Sequence, residues 1–453
     1  MPIAPHLRSR IALGLALALG IAAPAGAQSL QELYDAARGY DAAYLSARAL
    51  LDSAQYRVEQ VRALRRPQVG LQVSGSRSSS DTPYASTTNV DVNEVAAGVS
   101  ASQSLYNKAN RVTIEQAEKS LDVSRADFDL AEQDLIVRLS QAYFDVLAAQ
   151  DALATTRTSK AAISEQLASA KRNFEVGTAT ITDTREAQAR YDLAVAQEIA
   201  ADNDLRNKRI ALDQLVGRNA VEPKGLAVPV TLPAVVPSNA DTWAGQADAD
   251  HPTIRKARLG FEVAQLETEK ARAGNLPTVA LNAGFEKGRV SQNGAARSGG
   301  AVFPFDQSGT STSSNIAITM SVPLFAGYSI QNRIKETLVL EDKSRNDLEA
   351  ARRGVAQGTR QAFYGVQSGE AQVKALEAAE SSSQLALEAT RLGYRVGVRV
   401  NLDVLNAQTQ LYTTQQQLAR ARYDVLVGNL RLRQAAGQLK PSDVGAINQL
   451  LAK

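Results

Sequence analysis

Between Asn107 and Val176 the chain carries neither glycine nor proline. An interior proline costs a helix about 3 kcal/mol and an interior glycine about 1 kcal/mol, so nothing local stops these residues from running as one helix. Seventy residues at about 1.5 Å each would measure roughly 105 Å. Leu121, Phe128, Leu135, Leu139, Ala142, Val146, Ala149 and Leu153 recur along it at heptad spacing, the seam of a coiled coil. A broken series of ordinary helices is the competing reading. Gly177-Thr178 ends the run, and a second helical stretch is expected from Thr184 to Val216. A second proline-free interval lies between Pro323 and Pro441.

The plan of the chain then repeats. Phe174 to Gly217 aligns without gaps on Tyr394 to Gly437 at an offset of 220, with identities at eleven of 44 positions. Gln141-Ala142-Tyr143-Phe144 pairs with Gln361-Ala362-Phe363-Tyr364 at the same offset. Upstream the offset is 210: Arg62-Ala63 and Pro67-x-Val69-x-Leu71 match Arg272-Ala273 and Pro277-x-Val279-x-Leu281. A tandem duplication explains this, with repeats over residues 28–240 and 241–453 and a proline cluster, Pro223 to Pro237, near the join. Length alone suggests two or three domains; the duplication argues for one elongated unit.

The segments between the helices alternate with period two. Val69, Leu71 and Val73 share one face, as do Val95, Ala97, Val99 and Ala101. Val279, Leu281, Ala283 and Phe285 alternate likewise, and so do Ile316, Ile318, Met320 and Val322. Each half therefore carries one hairpin of about ten-residue strands, the length of a transmembrane barrel strand. A hairpin on a soluble core has the same pattern. The turn-rich stretches Ser78 to Asn93 and Gly288 to Ser314 read as exposed loops. About eight strands is the smallest transmembrane barrel, and lipid-exposed edges are prohibitive. Hairpins in a membrane would have to be pooled among several chains, three of which would supply twelve strands.

Residues 1–27 read as a secretory signal, with Arg8 and Arg10, an apolar stretch from Ile11 to Ala23, and Ala25-Gly26-Ala27 for cleavage. The composition excludes other classes. There is no cysteine, and of two histidines only His251 lies beyond the leader, so no metal site or cofactor is expected. Fifty basic against 47 acidic residues give no footprint for nucleic acid. No nucleophile elbow or phosphate loop is present, and no enzyme is expected.

These residues together resemble the TolC-type outer-membrane channel-tunnels, over nearly the whole mature chain. The most specific pieces are Phe174-x-Val176-Gly177 through Ile181-Thr182-Asp183, with Tyr394-x-Val396-Gly397-x-Arg399 and Asp403-Val404-Leu405. Ser321-Val322-Pro323-Leu324-Phe325 is similar to the family's strand-to-helix junction. The resemblance implies an α+β fold: a homotrimer with a twelve-stranded β-barrel in outer-membrane lipid of a Gram-negative bacterium and a coiled-coil tunnel in the periplasm. It implies a passive exit duct for an inner-membrane pump or ABC exporter and a periplasmic adaptor, in multidrug efflux, type I secretion or both. A periplasmic or surface structural coiled-coil protein is the alternative.

The resemblance also places a gate. Tyr394 would bond Asp183 within one protomer, and Arg399 would bond Thr182 and Asp183 of the neighbour. Asp403 would line the pore constriction. The family's second acidic ring falls on Asn406, which leaves a single ring and a modest cation preference. Gly177 and Gly397 would form the tips that meet the adaptor. Thr182 or Asp183 followed by Glu186 also fits a plain helix cap.

Overall fold

The computed structural model describes residues 27–81, 87–227, 229–230 and 232–452. The signal segment therefore lies outside the described residues, except for Ala27. The elements run α1 (Leu30–Tyr40), α2 (Ala42–Arg62), β1 (Gln68–Ser80), β2 (Thr87–Tyr106), α3 (Lys108–Glu175) and α4 (Ile181–Val216). After the proline-rich stretch come α5 (Ala240–Asp250), α6 (Pro252–Ala273), β3 (Thr278–Ser298), β4 (Ala301–Ser321), α7 (Ser329–Arg395), α8 (Asn401–Ala435) and α9 (Pro441–Asn448). The glycine- and proline-free run is one unbroken helix of 68 residues, α3. Its counterpart α7 has 67 despite the five glycines within it. Both duplication offsets reappear in the elements, since α5 starts 210 residues after α1 and α8 starts 220 after α4.

Two compact units cut across the repeats, each drawing segments from both. Among the described residues, one gathers those up to Ala47, Asp129–His251 and Gly354 onward; the other holds Arg48–Phe128 and Pro252–Arg353.

The first unit is helical. Tyr143 on α3 is fully buried and its hydroxyl donates to the Lys224 carbonyl at 2.8 Å. Phe144 beside it stacks on Tyr423 of α8, ring centres 5.7 Å apart. Tyr143 and Phe144 meet edge-on at 81°, and their repeat partners Phe363 and Tyr364 do so at 78°. Trp243, Ala247, Phe363, Val366, Leu418, Val425 and Leu432 form the core of the second half. Burying a large apolar side chain is worth about 1.5–3 kcal/mol, so these clusters, rather than helix propensity, hold the helices in place.

The second unit carries one antiparallel sheet in the order β1-β2-β3-β4. Leu71, Val99 and Phe285 lie opposite one another, and so do Val69, Ala101, Ala283 and Ile316. That face is apolar and bare, with Leu71 74% and Ile316 82% exposed. Its other face presents Gln72, Gly98, Glu286 and Ser313 in register. In the same unit Lys119–Glu262 and Lys256–Asp127 tie α3 to α6.

The strands correct one expectation. They run 13, 20, 21 and 21 residues instead of about ten. Most of the stretches read as loops belongs to the ladder, and β3 turns into β4 only at Gly299-Gly300. Both glycines have positive φ, 57° and 89°, as a two-residue hairpin turn requires. Serine, threonine and asparagine resemble turn composition, yet backbone pairing continues through them once the register is set by the apolar rows.

A candidate gate at the helix tips

The helical unit places the sequence-predicted gate residues at two like turns, one between α3 and α4 and one between α7 and α8. Gly177 stands at φ 79° and Gly397 at φ 80°, the left-handed region where any side chain would be strained. The Thr178 and Ala179 amides donate to the Asn173 carbonyl, at 2.8 and 3.2 Å. At the other tip the Val398 and Arg399 amides donate to the Gly393 carbonyl, at 2.9 and 3.2 Å. Gly177 N–H donates to Phe174 and Gly397 N–H to Tyr394. Each helix thus ends in a Schellman cap that satisfies its last carbonyls. Open space surrounds both glycines, and Val176, Val396 and Val398 project into solvent around them.

The next helices start differently. Thr180 caps α4: its hydroxyl accepts from the Asp183 amide at 3.2 Å, while the Asp183 carboxylate accepts from the Thr180 amide at 2.9 Å and its hydroxyl at 2.7 Å. This reciprocal box satisfies two otherwise orphaned donors. Thr182 is exposed in the first turn. In the second repeat the cap position is Val400, which has no side-chain acceptor. Only the return half survives there, from the Val400 amide to the Asp403 carboxylate at 3.4 Å.

The Tyr394–Asp183 bond expected within one protomer is not made. Tyr394 is half-buried, and its hydroxyl accepts from the Asn173 amide nitrogen at 3.1 Å. Asp183 is occupied by its own helix cap, because a residue three positions away competes better than one across the tip. Within the chain Arg399 lies 3.7 Å from Asp403, both exposed to solvent. Asn406 accepts from Arg190 of α4 at 3.0 Å. Sequence reasoning missed Asn173, Thr180 and Arg190. Thr180-x-x-Asp183 has capping-box spacing and could have been found. Arg190 and Asn406 stand 216 positions apart with no local signal linking them.

The sequence profile of the outer membrane efflux protein family matches residues 33–218 and again 243–438, once for each repeat. The chain belongs to this family. Outer membrane protein TolC of Vibrio cholerae is 31% identical over 444 residues, covering 98% of each chain. TolC of Escherichia coli is 29% identical over 98% of this chain and 89% of its own. The alkaline protease secretion protein AprF of Pseudomonas aeruginosa is 33% identical over 70% of this chain and 64% of its own. Among solved structures, a Pseudomonas aeruginosa membrane protein superposes with a TM-score of 0.77 at 20% identity, covering 90% of both chains. CusC does so at 0.75 and 19%, covering 91% of this chain and 92% of its own. The family member described here is an outer-membrane channel of the efflux and secretion class.

Proposed function

We propose that the protein works as a homotrimer, a passive exit duct completed from below by a periplasmic adaptor and an inner-membrane pump. The observation that carries the trimer is the four-stranded sheet, whose outer strands β1 and β4 each pair on one side only. Unpaired strand edges in hydrocarbon cost several kcal/mol per polar group, so the edges must be joined between chains. Three chains give twelve strands and a closed barrel. The exposed valines at the Gly177 and Gly397 turns form an apolar rim that suits the adaptor. Its cargo is small molecules, secreted polypeptides or both, since relatives carry the names of both roles.

In this reading Arg399 reaches Thr182 and Asp183 of the neighbouring protomer and holds the tip closed, with Asp403 lining the constriction. A guanidinium offers a rigid fork of donors for such a pair. Light scattering in detergent should give about three times the mass of the mature chain. In planar bilayers Arg399→Ser should raise single-channel conductance severalfold with the fold intact. A monodisperse monomer would end the barrel argument, and unchanged conductance would remove Arg399 from the gate.

A further inference from the structure

The expectation of a modest cation preference counted only the acid at 403 and the amide at 406. The structure adds a positive group to the same seam. Ala187, Tyr191 and Ala194 of α4 pack with Leu405 of α8, so the residues beside them, Arg190 and Asn406, meet at the edge of that contact. Arg190 is half-buried, Asn406 is exposed, and the guanidinium donates to the amide oxygen at 3.0 Å. Among the described residues Arg190 forms no ion pair, so its charge is held in position by a neutral partner rather than cancelled by an acid. Asp183, one heptad earlier on α4, is bound to Thr180, and Asp403 faces Arg399.

We propose that Arg190 is a selectivity determinant of the periplasmic constriction, a fixed positive charge held over position 406 by Asn406. This rests on the trimeric gate described above. Residues 403 and 406 are about 4.5 Å apart along the axis of α8. A three-fold assembly would then place three guanidinium groups roughly one helical turn from three Asp403 carboxylates. An acidic ring followed at once by a basic one makes the mouth bipolar instead of cation-attracting. Low-dielectric walls strengthen both fields, so neither ring can be ignored. Asn406 occupies one nitrogen of the guanidinium and leaves other donors for carboxylate or phosphate groups on passing cargo. A channel built this way admits anionic and zwitterionic cargo that two stacked acidic rings would repel.

Reversal potentials of the full chain in planar bilayers, across a potassium chloride gradient, test the assignment. Arg190→Gln keeps a donor for Asn406 and removes the charge. It should raise the cation-to-anion permeability ratio about threefold or more, most strongly at low salt where screening is weak. Asn406→Asp neutralises the guanidinium in place and should shift the ratio by a similar amount. Arg190→Lys should return it to the wild-type value. If Asp403→Asn and Asn406→Asp move the potential while Arg190→Gln does not, Arg190 is only a tie between helices and the proposal falls. If Asp403→Asn leaves the potential unmoved as well, the constriction itself has been misplaced, and both readings fall together.

Discussion

At the end of α3 the last amides fold back onto Asn173, and at the end of α7 their counterparts fold back onto Gly393, with matching distances. Farther along, α4 stops at Gly217 with φ 69° and α8 is followed by Gly437 with φ 71°. The two repeats therefore share their backbone turns. Their side chains have diverged. Thr180 gives α4 a full capping box, whereas Val400 gives α8 half of one. Five residues of α4 are buried against fourteen of α8, helices of nearly equal length. The difference teaches that duplication preserved the conformations only glycine adopts easily, while the tighter packing of α8 compensates for its weaker start.

The junction glycines offer the strongest way to break the parallel. A Cβ at Gly437 would lie 2.5 Å from the Cα of His251, a backbone atom that cannot move aside. A Cβ at Gly217 would lie 2.4 Å from the Tyr40 ring, which is more than half exposed and can swing away. The left-handed conformation alone costs an alanine about 1–2 kcal/mol. Gly437→Ala should therefore cost roughly 3 kcal/mol or more, with Gly217→Ala nearer 2. At the tips, Gly177→Ala and Gly397→Ala meet open space and should cost only the conformational term. Urea midpoints in detergent should rank in that order, and equal midpoints for Gly437→Ala and Gly217→Ala would show that the two junctions are equally tolerant.

A second contrast is chemical. Asp41 and His251 occupy the same junction in the two repeats, 210 residues apart. Arg138 beside Asp41, at 3.1 Å, holds its carboxyl below the ordinary carboxylate value. Burial pushes the His251 imidazole below its ordinary 6.5. In both cases the unfolded chain binds protons more readily than the native one, so stability falls on acidification. The His251 share is lost as pH drops below 6.5 towards its native value, and the Asp41 share only below 3.8. His251 is the sole histidine among the described residues, so the upper step is assigned to it. His251→Gln should flatten the change in urea midpoint between pH 7.5 and 5.5, and an unaltered slope would assign that step to other groups.

The smallest effects sharpen the comparison at the caps. Thr180→Ala should cost about 1 kcal/mol and speed amide exchange in the first turn of α4. The Asp403 amide now donates to the Val400 carbonyl at 3.1 Å; Val400→Thr should add a side-chain acceptor for it and complete the box, stabilising the start of α8 by about 0.5 kcal/mol. Equal exchange rates in wild type at residues 183 and 403 would mean that the half-box already suffices.

Much of this molecule follows from local rules. The absence of glycine and proline from 107–176 permitted a single helix, and one formed. Period-two alternation gave the apolar face of each strand, while strand length was misjudged because polar strand and polar loop share a composition. The register that sets Leu71 opposite Val99 and Val99 opposite Phe285 came from the structure. Gly177 and Gly397 could be read as turns since few other residues tolerate positive φ. The partners of the gate residues could not be read that way. Tyr394 found Asn173, 221 positions distant, and Arg190 found Asn406, 216 positions distant. Periodicity and backbone restriction act within a few residues and are written in order along the chain. Which side chains meet across two helices depends on how Leu405 seats against Ala187 and Ala194. Packing is a property of the assembled helices, and only the tertiary structure decided it.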